Sequence, residues 1–86
     1  MNTVENSFLD ERDFIDCLNR GCEIAFLYGN KEYSITHTSA GICIMEFYNE
    51  ESEMLYPDAK LVLDYPINGK TLKDILLDIK VTDRSF

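Results

Sequence analysis

Residues 22 to 37 constrain this chain more than any other stretch. Cys22-Glu23-Ile24-Ala25-Phe26-Leu27-Tyr28 and Lys31-Glu32-Tyr33-Ser34-Ile35-Thr36-His37 are two runs rich in strand formers, separated only by Gly29-Asn30. Successive side chains of a strand point to opposite faces. The first run therefore places Cys22, Ile24, Phe26 and Tyr28 together. Glycine accepts the positive φ that a two-residue hairpin loop demands. Such a loop sets Phe26 opposite Tyr33 and Ile24 opposite Ile35. These four share one face, and Glu23, Glu32, Ser34 and Thr36 share the other. A slip of one residue would turn the apolar set to water, so the pattern and the turn specify the same register.

A lone hairpin is marginal in water, so the flanks must supply more sheet and a cover. A helix is predicted from about Leu9 to Arg20, with Asp10, Glu11 and Asp13 crowding the positive end of its dipole. Phe14, Cys17 and Leu18 form its apolar stripe, and Gly21 stops it. Thr38-Ser39-Ala40-Gly41 is a second turn, leading to a third strand over 42–48. Its start is apolar on both faces, and sending Glu46 outward places Cys43, Met45 and Phe47 inward. Residues 49–53 read as an acidic loop, and Met54-Leu55-Tyr56 as a short strand or tether. A short helix capped by Asp58 ends before Tyr65-Pro66, and Ile67-Asn68-Gly69-Lys70 is a turn. Thr71 caps a last helix, with Asp74 at the capping-box position and Leu72, Ile75, Leu76 and Ile79 on its apolar face. Val81-Thr82 continues as a strand end. Residues 1–8 form a loose lead and 83–86 a tail.

These elements describe one α+β domain over residues 1–86: a three-stranded antiparallel meander, packed on one face by an N-terminal and a C-terminal helix. Its expected core comprises Phe14, Leu18, Ile24, Phe26 and Ile35, then Met45 and Phe47, and finally Leu72, Ile75, Leu76 and Ile79.

The 86 residues suffice for one modest core. No apolar run is long enough to span a membrane, and the first residues lack the pattern of a signal peptide, so a cytoplasmic location is expected. Cys17, Cys22 and Cys43 lie in apolar patterns without a CxxC pair. They read as three reduced core thiols, and a zinc site is not expected. Sixteen acids against eight bases give a net charge of −8. Phosphate backbones and anionic membranes repel such a surface, whereas a basic protein does not.

Catalytic candidates are few. His37 is the only histidine, and its one imaginable thiol partner is Cys22 across the hairpin. A Cys-His enzyme also needs an orienting group and an oxyanion site, and no pattern announces them. The glycines stand singly at turns and form no phosphate loop. Asp74 and Asp78 are spaced to face a cation, but beside Lys70 and Lys73 they read as a charged surface. No cofactor or metal is expected, and the protein is read as non-enzymatic. The remaining functional signal is an acidic segment beside aromatic and apolar residues. Glu46, Tyr48, Glu50, Glu51, Glu53 and Tyr56 are the predicted partner-binding residues, next to Met54 and Leu55. Carboxylates there would steer a basic partner while the aromatics make held contacts. A merely solvated loop is the competing reading.

Gly29-Asn30-Lys31-Glu32-Tyr33-Ser34-Ile35 and Ile67-Asn68-Gly69-Lys70-Thr71-Leu72-Lys73-Asp74-Ile75 resemble a group of short uncharacterised proteins of low-GC Gram-positive bacteria and their phages. That group shares a leading helix, an NGKxYxI-like hairpin and a closing GKTLKDI-like helix, and the resemblance covers about residues 10–81. It implies an α+β fold and a phage or mobile-element setting, and no functional residue. Small acidic proteins of that setting include anti-defence inhibitors, among them anti-CRISPR proteins that occupy a nuclease's nucleic-acid channel. By analogy the expected function is inhibition or modulation of a basic, nucleic-acid-handling protein. The alternatives are a self-associating accessory or structural subunit and, last, a thiol or hydrolytic enzyme using Cys22 and His37.

Overall fold

The computed structural model describes residues 7–85. The expected lead over 1–6 and the final Phe86 lie outside them. Ser7 and Phe8 are not loose: Phe8 is buried, with its ring edge-on to Phe14 at 5.2 Å.

Helix α1 spans Glu11–Asn19. Asp10 caps it, its carboxylate accepting from the Asp13 N–H at 2.9 Å, which satisfies a donor that the first turn leaves without a helical partner. The buried residues are Phe14, Cys17 and Leu18, as the stripe predicts. Strands β1 (Glu23–Tyr28) and β2 (Lys31–Thr38) follow. They pair with Ile24 opposite Ile35 and Phe26 opposite Tyr33, the register the sequence requires. Gly29 takes φ +64° at the turn.

The sheet is larger than a three-stranded meander. It has five antiparallel strands in the order β4 (Asn49–Tyr56), β3 (Gly41–Glu46), β2, β1 and β7 (Lys80–Ser85). The expected acidic loop is therefore most of an edge strand. Helix α2 (Ala59–Val62) is capped by Asp58. A small ribbon of β5 (Pro66–Ile67) and β6 (Lys70–Thr71) turns at Asn68 and Gly69, both at positive φ. Helix α3 covers only Leu72–Ile75 and tightens into a 3-10 turn over Leu76–Asp78. Its capping box is present, with the Thr71 hydroxyl on the Asp74 N–H and the Asp74 carboxylate on the Thr71 N–H. Those bonds, together with Lys70 and Lys73 nearby, hold the Asp74 carboxyl below its ordinary range.

Strand β7 (Lys80–Ser85) replaces the expected tail. It pairs with β1, setting Val81 opposite Phe26. Only Val81 of this strand is buried, so a polar edge strand carries too little alternation to be seen in sequence. Arg84 fastens the end of the strand: its guanidinium lies 4.2 Å from the Phe8 ring centroid and donates to the Ser7 carbonyl at 3.0 Å.

The core joins one face of the sheet to the helices. Strand β3 enters it opposite to expectation. Ile44 pairs with Ile35 and Ile42 with His37. Directly opposed residues share a face, so Ile42 and Ile44 point inward and are buried. Cys43 and Met45 lie on the other face, with Thr36 and Ser34. Met45 and Phe47 therefore leave the core list and are half-buried. Glu46, expected outward, is on the inner side, at the end of the sheet opposite Tyr33, where its carboxylate reaches Lys31 at 3.8 Å.

The three-thiol expectation is also corrected. Cys17 and Cys22 are joined as a disulfide, with Cα atoms 5.4 Å apart, and Cys43 is the free cysteine. The pair is 5 positions apart in sequence, and the turn at Arg20-Gly21 folds the end of α1 back onto the start of β1. That turn is closed by backbone bonds from Cys22 to Cys17 at 3.1 Å and from Gly21 to Leu18 at 3.0 Å.

Candidate functional site

The β3–β4 hairpin carries all six predicted binding residues, but it does not place them on one surface. Its turn is Phe47-Tyr48. The Phe47 N–H donates to the Glu32 carbonyl at 2.8 Å, anchoring the turn to β2. Tyr48 then takes φ +62° and is fully exposed. The left-handed region costs a residue with a Cβ about 1–2 kcal/mol, and a tyrosine there with no burial in return is unusual.

Beyond the turn the ladder is irregular. Glu46 pairs with Asn49 and Ile44 with Met54, so Met45 alone faces residues 50–53. The extra residues form a bulge whose backbone is pinned at Ser52. The Ser52 hydroxyl accepts from the Glu46 N–H at 2.8 Å and donates to the Asn49 carbonyl at 2.6 Å. The Ser52 carbonyl in turn accepts from the Tyr65 hydroxyl at 2.8 Å. Tyr65 is buried and stacks edge-on against Tyr33, with ring centroids 6.4 Å apart. Burial pushes the Tyr65 phenol up; the bond to Ser52 opposes that shift, and the nearby Glu46 adds to it.

Exposed at this hairpin are Tyr48 at the tip and Glu50, Glu51 and Glu53 along β4. Glu53 is tethered on the outer face of the sheet. Its carboxylate accepts from the Cys43 thiol at 3.1 Å. Burial first, and that hydrogen bond second, push the Cys43 thiol up to about 11. Leu55, opposite Cys43, shares this face and is half exposed. Glu46 and Tyr56 belong elsewhere. Glu46 is bound to Lys31 and accepts from the Asn49 side-chain amide at 3.5 Å. Tyr56 opposes Ile42 and packs against the core, where burial and the Asp64 carboxylate raise its phenol. The structure therefore divides the predicted set. Tyr48, Glu50 and Glu51 are presented at the free end, Glu53 is fixed to the outer face, and Glu46 and Tyr56 support the hairpin from within.

Sequence reasoning missed Ser52, Tyr65 and Cys43 as the residues that hold this segment. Ser52 is the one hydroxyl among residues 49–53, and carboxylates flank it on both sides. A side chain able both to donate and to accept, set among acceptors, was a usable signal for a bulge clamp. Nothing local marked Tyr65, whose reach of 13 residues is tertiary.

The other candidates change as well. The Cys22 sulfur is bonded to Cys17 and is no free nucleophile. His37 instead places Nε2 3.2 Å from the Cys22 carbonyl oxygen, and its backbone N–H donates to Glu23 at 3.3 Å. Among the described residues no His, Cys, Asp and Glu side chains group so as to hold a metal, and no helix is long and apolar enough to cross a membrane. No family model, curated protein or solved structure matches the chain, so the role of the hairpin rests on its own residues.

Proposed function

We propose that this protein is a non-enzymatic acidic binding protein that inhibits or modulates a basic, nucleic-acid-handling protein through its β3–β4 hairpin. The observation that carries the reading is Tyr48, a fully exposed aromatic held at positive φ beside exposed carboxylates. Tyrosine supplies large contact area for few rotatable bonds, and it is enriched among residues that dominate binding energy. The clamp at Ser52 removes part of the ordering cost that a floppy acidic loop would incur on binding. Glu50, Glu51 and Glu53 then steer a basic partner, in the manner of phosphates. The net charge of −8 argues against direct contact with nucleic acid or an anionic membrane. The likeness to phage and mobile-element proteins makes an anti-defence inhibitor, of the anti-CRISPR kind, the concrete form of the proposal.

This reading places the protein in the cytoplasm, the host's if it is phage-encoded. The Cys17–Cys22 disulfide pulls the other way, because such bonds persist in oxidising compartments. Thiol trapping in the native cell decides: a pair found oxidised in living cells counts against a cytoplasmic site.

The binding test is co-purification from the native host with wild type and with E50K/E51K/E53K. A basic partner should be retained by wild type and lost by the triple variant, whose melting temperature stays near that of wild type. Affinity should also fall steeply with salt. Unchanged affinity after charge reversal overturns the assignment. A second reading, a self-associating accessory subunit, is favoured by the outer edges of β4 and β7, on which no described strand lies. A stable homo-oligomer at low concentration, measured by mass in solution, would select it.

A further inference from the structure

The binding hairpin is also a sheet edge, and the edge has its own chemistry. Strand β4 terminates the five-stranded sheet. Its inner row of backbone groups serves β3, and no strand of the described residues lies on its outer side. Over Met54–Tyr56 the pairing with Ile42–Ile44 is regular, so the outer row there is in strand geometry. Met54 and Leu55 are 42% and 49% exposed, a large apolar exposure for adjacent residues of a strand this short. The exposed Glu50, Glu51 and Glu53 precede them on the same strand. We infer that the outer edge of β4 accepts an extended, lysine- or arginine-rich segment of the partner as an added strand, with the partner's cations over the acidic bulge.

Charge selects the occupant. A second copy laid β4 against β4 would gather both sets of these glutamates along one seam, where like charges facing across a ladder destabilise it. The β7 edge of a second copy offers Lys80 and Arg84, but Arg84 is turned to Ser7, Phe8 and Asp13. A head-to-tail β4–β7 contact would also be heterologous, running on into a filament unless its rotation closed a ring. A basic extended segment avoids both difficulties. In strand addition the backbone bonds give affinity and the alternate side chains give selectivity. Here Leu55 on the outer face and the carboxylates before it would read an apolar residue next to basic ones.

This inference rests on the binding reading above and is tested apart from it. The probe is a short synthetic peptide of alternating lysine and valine, with a twin carrying glutamate in place of lysine. Amide hydrogen exchange and amide chemical shifts are followed residue by residue. The lysine peptide should slow exchange of amides within Met54–Tyr56 by about tenfold or more, and the glutamate twin should have no effect. E50Q/E51Q/E53Q, nearly isosteric, should weaken the lysine peptide by about tenfold or more. Binding that leaves β4 exchange unchanged and shifts only residues round Tyr48 overturns strand addition while the acidic-surface reading stands. Failure of the peptide to bind also overturns strand addition. Protection of β4 without peptide, rising with protein concentration, assigns the edge to a second copy instead. Loss of acid dependence towards the native partner overturns the underlying reading, whatever the peptide does.

Discussion

The two hairpins of this sheet solve the same problem with opposite means. In β1–β2 the turn begins with a glycine at φ +64°, and the ladder runs without interruption from Tyr28–Lys31 to Ile24–Ile35. Its side chains feed the core: Ile24, Phe26, Tyr33 and Ile35 are all buried. In β3–β4 a tyrosine takes nearly the same backbone angle, and the ladder breaks at a bulge. Of the eight residues of β4, none is fully buried. The first hairpin is arranged for stability. The second keeps a strained turn and an irregular edge, and then fixes that irregularity with Ser52 and Tyr65. Local rules broken in one place and reinforced from a distance are the observation from which the proposed binding role is argued.

Substitutions can break this contrast. Phe26→Ala removes a fully buried ring from the stable hairpin and should cost about 3–5 kcal/mol. Urea unfolding should show the midpoint collapsing, while Tyr48→Ala leaves it almost in place. A similar loss for both would mean that the second hairpin is structural after all. Tyr65→Phe deletes the hydroxyl that holds the Ser52 carbonyl and should cost about 1–2 kcal/mol. Exchange of the amides of residues 50–53 should quicken well before that of β1 and β2. Uniform quickening would deny the clamp.

The turns allow a reciprocal test. Gly29→Ala forces a Cβ onto positive φ and should destabilise by about 1 kcal/mol. Tyr48→Gly relieves the same strain and should stabilise by up to about 1 kcal/mol, while weakening partner binding. A loss of stability from Tyr48→Gly would show that the tyrosine contributes to the fold. The smallest effect concerns Cys43. Its thiol is raised from about 9 to about 11, so the folded state prefers the protonated form. The associated stability is present below pH 9 and fades as pH rises towards 11. Alkylation of Cys43 should accordingly be slow at neutral pH and accelerate only in that alkaline window. Rapid labelling at pH 7 would show that the Glu53 tether does not form in solution.

The parts that were legible in the sequence are those whose determinants are local. Gly29-Asn30 and the alternation around it fixed a pairing, and Asp58, Thr71 and Asp74 marked helix starts that the structure contains, whereas Asp10 was read as a first-turn acid and is the cap of α1. The parts that were not legible depend on distant neighbours. The run Ile42-Cys43-Ile44-Met45 is apolar on both faces, so only its pairing with β2 decides which face is inner. Residues 49–53 look like a loop because the strand is at an edge and its polar side chains meet water. Residues 83–85 look like a tail for the same reason, although Val81-Thr82 reads as a strand end. In the candidate site, the exposure of Tyr48, Glu50, Glu51 and Glu53 could be read from composition and order. Their separation from Glu46 and Tyr56 could not, since it follows from the inward turn of those two side chains.

The pairing of β7 with β1 bears on how the molecule is made. Strand β1 carries Ile24 and Phe26 and is synthesised early, yet one of its two neighbours consists of residues 80–85. Until that segment leaves the ribosome, β1 offers an open apolar edge to every other chain nearby. The β1–β2 hairpin can close quickly on its own short loop, but the full sheet waits on a contact between segments far apart in sequence, which slows the final step. Nascent chains halted before Lys80 should therefore be the form most prone to aggregate.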